Sequence, residues 1–198
     1  LNEMGFTLNP YDTCVANCMI DGKQCTVVWY VDDNKISHVD TRVVTELIER
    51  IEDKFGKMTV TRGKEHTFLG MKFVFTDDGN VQIMMKEYLT EAIEESGMKI
   101  ERTAATPAKK DLFDVDDSAA ALGKEEAEVF HSVIAKLLYV SLRARMDILL
   151  PIIFLCTRVS KSTIEDQAKL KRVLEYIHGT MDLTHTLGAD DLSAFRTW

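Results

Sequence analysis

No apolar run in this 198-residue chain is long enough to cross a bilayer: the longest, residues 148–156, is interrupted by Pro151. It reaches about half of the roughly 18 residues a membrane helix needs, so no membrane partner is expected. Residues 1–9 carry neither a basic leader nor the apolar stretch of a signal peptide, and the first residue is Leu1 rather than Met. The chain is therefore read as a piece of a longer protein. Cys14, Cys18, Cys25 and Cys156 lack the paired CxxC spacing and the accompanying His of a zinc knuckle, which leaves them as reduced, partly buried thiols. His38, His66, His131, His178 and His185 are scattered singly and receive no metal or general-base role. Basic excess is missing too. A net charge of −8 argues against a protein whose whole surface grips nucleic acid, although the distribution of charge matters more than its sum. No Gly-rich phosphate loop is present, since Gly56, Gly63 and Gly70 are too dispersed to form one. Internal repeats and low-complexity tracts are absent as well.

What remains is a globular composition, 45% hydrophobic, enough for one large or two small domains with a true core. Its most informative segment is the β-type run from Thr26 to Val31, which ends in the adjacent carboxylates Asp32 and Asp33 before polar Asn34 and Lys35. Both carboxylates are expected at a hairpin tip. Successive side chains on an extended backbone point in different directions, so one faces a shared metal site and the other its rim. Hard oxygen ligands of this kind suit Mg²⁺, and a pair of such ions supports nucleotidyl transfer. The competing reading is plain turn chemistry, because Asp-Asp is a common turn dipeptide.

Val43, Leu47, Ile51 and Phe55 recur with helical spacing, Asp40 or Thr41 can cap the start, and Gly56 can end the helix. Residues 67–75 and 81–85 read as two strands joined by a tight turn over 76–80, and residues 87–96 as a short helix stopped by Gly97. Together these predict an α+β fold, with an antiparallel sheet and packed helices over residues 1–100. Residues 101–123 have no sustained period and read as a linker. Residues 124–198 carry three helical stripes, one through Ala127, Phe130, Ile134 and Leu137, one beginning near Pro151, and one ending at Gly179. From Lys136 to Arg172 there are eight Lys or Arg against three acids, and Lys54, Lys57, Arg62 and Lys64 form a second basic cluster. Such faces permit a nucleic-acid groove, although most are solvated surface.

In order and spacing, the landmarks resemble the reverse transcriptase region of copia-type retrotransposon polyproteins. Asn9-Pro10-Tyr11-Asp12-Thr13-Cys14-Val15 resembles the segment before that family's catalytic hairpin, and Tyr30-Val31-Asp32-Asp33 its signature. His66-Thr67-Phe68-Leu69-Gly70-Met71 is similar to the primer-grip element, and Thr106-Pro107 to a recurrent Thr-Pro. Arg145-Met146-Asp147-Ile148 resembles Arg-Pro-Asp-Ile with Met in place of Pro, and residues 170–180 resemble the helix that closes the polymerase part.

The resemblance implies a partial polymerase palm followed by a helical thumb or connection. It implies two-metal DNA synthesis with Mg²⁺ or Mn²⁺ and deoxynucleoside triphosphates, on an RNA or DNA template carrying a DNA primer. Asp32 and Asp33 would hold the metals, Asp32 more directly. Phe68, Leu69 and Gly70 would position the primer end, where a Gly lets a backbone approach closely. Tyr30 and Val31 would flank the incoming nucleotide and primer, unless both are strand packing. Lys169, Lys171 and Arg172 would contact backbone phosphates, and Lys54 or Lys57 would protonate pyrophosphate or serve only surface electrostatics.

The family's further metal-binding Asp lies on a strand upstream of the region matched, and Glu3, Asp12 and Asp21 sit in a hairpin-like entry that does not replace it. The chain is thus expected not to polymerise by itself. Its other partners would be the remaining parts of the Pol polyprotein, namely fingers, RNase H and integrase, in a cytoplasmic element particle or in the nucleus. Two competing classes are a non-catalytic nucleic-acid-binding remnant and a nucleotidyl cyclase, the latter disfavoured by the missing Gly-Gly-Asp-Glu-Phe hairpin. A sheet edge left open by the missing strand is expected to favour association.

Overall fold

The computed structural model describes residues 1–188 and divides the chain into two units, the first Leu1–Gly63 and the second from Lys64 onward. Two four-stranded antiparallel sheets, one per unit, and five α-helices make up the described residues.

The first unit is a meander, β1 (Thr7–Leu8), β2 (Val15–Ile20), β3 (Lys23–Tyr30) and β4 (Asp33–Ser37), followed by helix α1 (Thr41–Phe55). Alternation along the strands selects the buried face. Ala16, Cys25 and Val27 are buried with Trp29 and Ile36 packed beside them, and Val43, Leu47 and Ile51 of α1 cover them. The opposite face is polar at its centre, where Thr26 Oγ1 donates to Asn17 Oδ1 at 2.7 Å. Helix α1 starts as its sequence dictates, with the Asp40 carboxylate accepting from the Arg42 amide at 2.8 Å. The Arg42 side chain grips the same carboxylate at 2.6 Å, and these bonds hold Asp40 down at about 2. At the other end, the Gly56 amide closes on the Glu52 carbonyl. The entry residues 1–22, read only as hairpin-like, are two strands of this sheet, turned by Asp21 and Gly22 at φ 51° and 72°. That Asp-Gly pair suits a hairpin needing two left-handed residues.

The second unit opens with β5 (Glu65–Phe68), β6 (Met71–Phe75) and β7 (Val81–Met84), then α2 (Lys86–Glu95). Helices α3 (Lys124–Ser141), α4 (Leu149–Cys156) and α5 (Ile164–Gly179) follow, and β8 (His185–Leu187) returns to pair antiparallel with β7. Pro151 lies in the first turn of α4 as expected, and α3 and α5 match the apolar stripes. One expectation is corrected. Residues 67–75 are not one strand, because the chain reverses at Leu69 and Gly70 and pairs Phe68 with Met71. The chain divides into its two compact units after Gly63, and residues 101–123 lie within the second. The reason is packing: Ile83, Met85, Leu89 and Ala92 share one core with Phe130, Leu137, Ile152 and Leu174. Residues 101–123 do lack helix and strand, yet they are packed. Leu112 is buried, Phe113 meets Phe154 edge-on, and the Ala104 amide donates to the Glu175 carbonyl. They form an irregular strap along α5.

Candidate metal and nucleic-acid site

Strands β3 and β4 meet in a two-residue turn, Val31 and Asp32, flanked by the pair Tyr30 and Asp33. The carboxylates therefore sit at the tip, with Asp33 opening β4. Register assigns the faces. Trp29 and Ile36 belong to the side covered by α1, so Tyr30 and Asp33, directly opposite each other, share the uncovered side. Both acids are exposed, and among the described residues neither carboxylate has a hydrogen-bond or ion-pair partner. Tyr30 and Val31 are 57% and 80% exposed, so neither is strand packing. Val31 has φ 52°, the left-handed region that a β-branched side chain rarely enters. The tip thus combines a strained backbone position, an exposed aromatic ring and two carboxylates without partners among the described residues.

Glu3, Asp12 and Asp21 are engaged otherwise. Glu3 pairs with Lys54 at 2.5 Å, the Asp12 carboxylate accepts from the Cys14 amide, and Asp21 forms the other turn of the same sheet. Among the described residues no three His, Cys, Asp or Glu side chains come together as a cation cage. Lys57 lies against Glu52 at 2.9 Å and Lys64 against Asp77, so three members of the second basic cluster carry carboxylate partners.

The second unit holds the turn between β5 and β6. Leu69 and Gly70 have φ 52° and 71°, and helices clamp them from the side. The Tyr139 hydroxyl of α3 donates to the Leu69 carbonyl at 2.7 Å, and Tyr139 stacks on Tyr88 of α2 with centroids 5.4 Å apart. A Cβ at position 70 would stand 2.4 Å from Tyr88 Cε2, so the tyrosine ring occupies the space that glycine leaves. Phe68 ends β5 half-buried. The sequence reading missed Tyr139 and the pairing of these rings. Gly70 inside a strand-like run was the available signal.

Helix α5 places Lys169, Lys171 and Arg172 beside the strap. Lys169 Nζ donates to the Asp114 carbonyl and lies 5.0 Å over the Phe154 ring, and Arg172 Nη2 donates to Thr106 Oγ1 at 2.9 Å. Lys171 is exposed. A groove of about 570 Å³ between α5 and the strap is lined by these three cations, and Asp111, Asp114 and Asp116 of the strap face them. The local basic excess read from residues 136–172 is thus offset here by acids from outside that window.

The chain is similar to Uncharacterized mitochondrial protein AtMg00810 of Arabidopsis thaliana, with 26% identity over 152 residues. The match covers 77% of this chain, and the chain spans 60% of the length of that curated relative. No family profile matches the chain. No solved structure matches it.

Proposed function

We propose that the chain is part of the reverse transcriptase of a copia-type mobile element, with the first unit contributing the catalytic hairpin of a polymerase palm. The observation that carries this reading is the free pair of carboxylates at the exposed, strained tip of β3 and β4, with Tyr30 beside Asp33 on the open face.

Two adjoining carboxylates fit Mg²⁺ or Mn²⁺, because Mg²⁺ in phosphate-processing sites takes one or two carboxylates and completes its shell with water and phosphate oxygens. Bound there, the metal supplies Lewis acidity to the transferring phosphoryl group. Asp32 and Asp33 anchor it and the exposed Tyr30 ring offers a surface to the substrate. Phe68, Leu69 and Gly70 set the backbone turn on which a primer terminus rests. Lys171 is the exposed cation of α5 for a phosphate contact, while Lys169 and Arg172 keep the strap in place. The parent protein then copies an RNA or DNA template from a DNA primer and deoxynucleoside triphosphates, with fingers, RNase H and integrase as the other parts of its polyprotein. Cytoplasmic particles, with the nucleus as second site, are its proposed location.

A second reading, a remnant that holds nucleic acid without chemistry, is favoured by one observation: no third metal-ligating side chain approaches the pair among the described residues. Both readings are tested by binding of a labelled DNA primer–template to the chain, with and without Mg²⁺. The catalytic-hairpin reading expects Mg²⁺ to tighten binding and Asp32→Ala or Asp33→Ala to remove that increment. Salt-dependent affinity indifferent to both supports the remnant, and absence of binding overturns both.

A further inference from the structure

We propose that Arg143, mounted on the ring of Tyr139 beside the Leu69 and Gly70 turn, is a preformed contact for a phosphodiester of the nucleic-acid backbone. The inference rests on the nucleic-acid reading above and names a contact that the sequence did not.

Arg143 follows α3, whose last turns face the β5 and β6 hairpin through Tyr139. Its guanidinium carbon stands 3.6 Å from the Tyr139 ring centroid, and Nη1 donates to the Tyr139 carbonyl at 3.1 Å. Gly70 lies against Tyr88, Tyr88 stacks on Tyr139, and the Arg143 guanidinium lies over the Tyr139 ring. One carbonyl engages one of five N–H donors, and the others have no hydrogen-bond partner among the described residues. Among the described residues no carboxylate pairs with Arg143, and the same holds for Lys169 and Arg172, but only Arg143 is stacked on a tyrosine beside the Leu69 and Gly70 turn.

A helix C-terminus attracts a cation, and that alone accounts for an arginine near the end of α3. It does not account for the fixed plane. A guanidinium held by stacking has already lost most of its rotamer freedom, so an arriving anion does not have to order it. The fork geometry suits phosphate oxygens, and the neighbouring turn is the element read as the seat of the primer end. Nucleic-acid backbone is therefore the anion that fits both features.

The test is anisotropy of a fluorescein-labelled DNA primer–template duplex titrated with the whole chain over a series of KCl concentrations. Arg143→Ala is expected to weaken low-salt binding roughly fivefold to tenfold and to lower the slope of log K against log salt by about 0.9, the loss of one phosphate contact. Arg143→Lys is expected to keep the slope. Tyr139→Phe, which removes the hydroxyl bond to Leu69 and leaves the charge, is expected to weaken binding with the slope unchanged. Thermal melts establish that each variant is folded, and Arg143→Gln replaces the alanine variant should the latter unfold. Wild-type affinity and slope in folded Arg143→Ala or Arg143→Gln, with the wild type binding well, overturn the inference alone. A wild type that does not bind the duplex overturns the nucleic-acid reading and this contact with it.

Discussion

Arg145 and Asp147 close on each other with two hydrogen bonds, Nε to Oδ1 at 2.9 Å and Nη2 to Oδ2 at 2.7 Å, although the arginine is only 2% exposed. The other edge of the guanidinium reaches the end of α5, donating to the Thr180 carbonyl at 3.0 Å and to Thr180 Oγ1 at 2.7 Å. One side chain thereby ties the approach to α4 to the close of α5. Removing one partner of such a pair leaves a buried charge without compensation. Asp147→Ala is expected to cost about 3 kcal/mol of stability in urea unfolding, with Asp147→Asn costing less because an amide oxygen still accepts one bond.

The same pair sets an acid limit. Burial, the largest influence on Asp147, pushes its carboxyl up, but hydrogen bonds from Arg145 and Tyr176 and the charge of Arg145 together hold it below the ordinary carboxylate value. A carboxyl lowered in the folded state contributes stability that is complete above the unfolded value, about 3.9, and disappears as pH falls through the folded value. Melting temperature followed downward from about pH 5 is expected to fall less steeply for Asp147→Asn than for wild type. Parallel curves contradict this.

Gly70 combines φ 71° with the Tyr88 ring against its α-carbon, so Gly70→Ala is strained twice. A loss of about 2 kcal/mol is expected in the same unfolding assay. Leu69 occupies a left-handed position that suits Asn better. Leu69→Asn is expected to gain up to about 1 kcal/mol, provided Tyr139 still holds the carbonyl.

Val31 is the matching case in the first unit. Val31→Asn relieves the left-handed β-branched residue and is expected to stabilise by about 1 kcal/mol. If the strain serves the site, the gain comes with a weaker Mg²⁺-dependent increment in primer–template binding. A stabilised variant with the full increment shows that the strain is not functional.

Local chemistry made much of this legible. Asp40, the period from Val43 to Phe55 and Gly56 delimit α1, and Asp33 following an apolar strand marked the hairpin. What escaped depends on contacts distant in sequence. Leu69 is a poor turn former inside a β-type run, so the reversal there is fixed by Gly70 and two tyrosines contributed by α2 and α3. Strand β8 is three residues long and gains its register only by reaching β7 across the helices. The acids that line the α5 groove, Asp111, Asp114 and Asp116, come from the strap and so lie outside the window in which the basic excess was counted. The face shared by Tyr30 and Asp33 followed only from the pairing register.

Substoichiometric Mn²⁺ added to the ¹⁵N-labelled chain tests whether the tip of β3 and β4 holds a divalent cation, as proposed above. Amide signals of residues 30–34 are expected to broaden first, Mg²⁺ to compete the effect away, and the double variant Asp32→Asn, Asp33→Asn to abolish it. Broadening centred on another acidic stretch, or unchanged broadening at the tip of the double variant, would contradict the proposal.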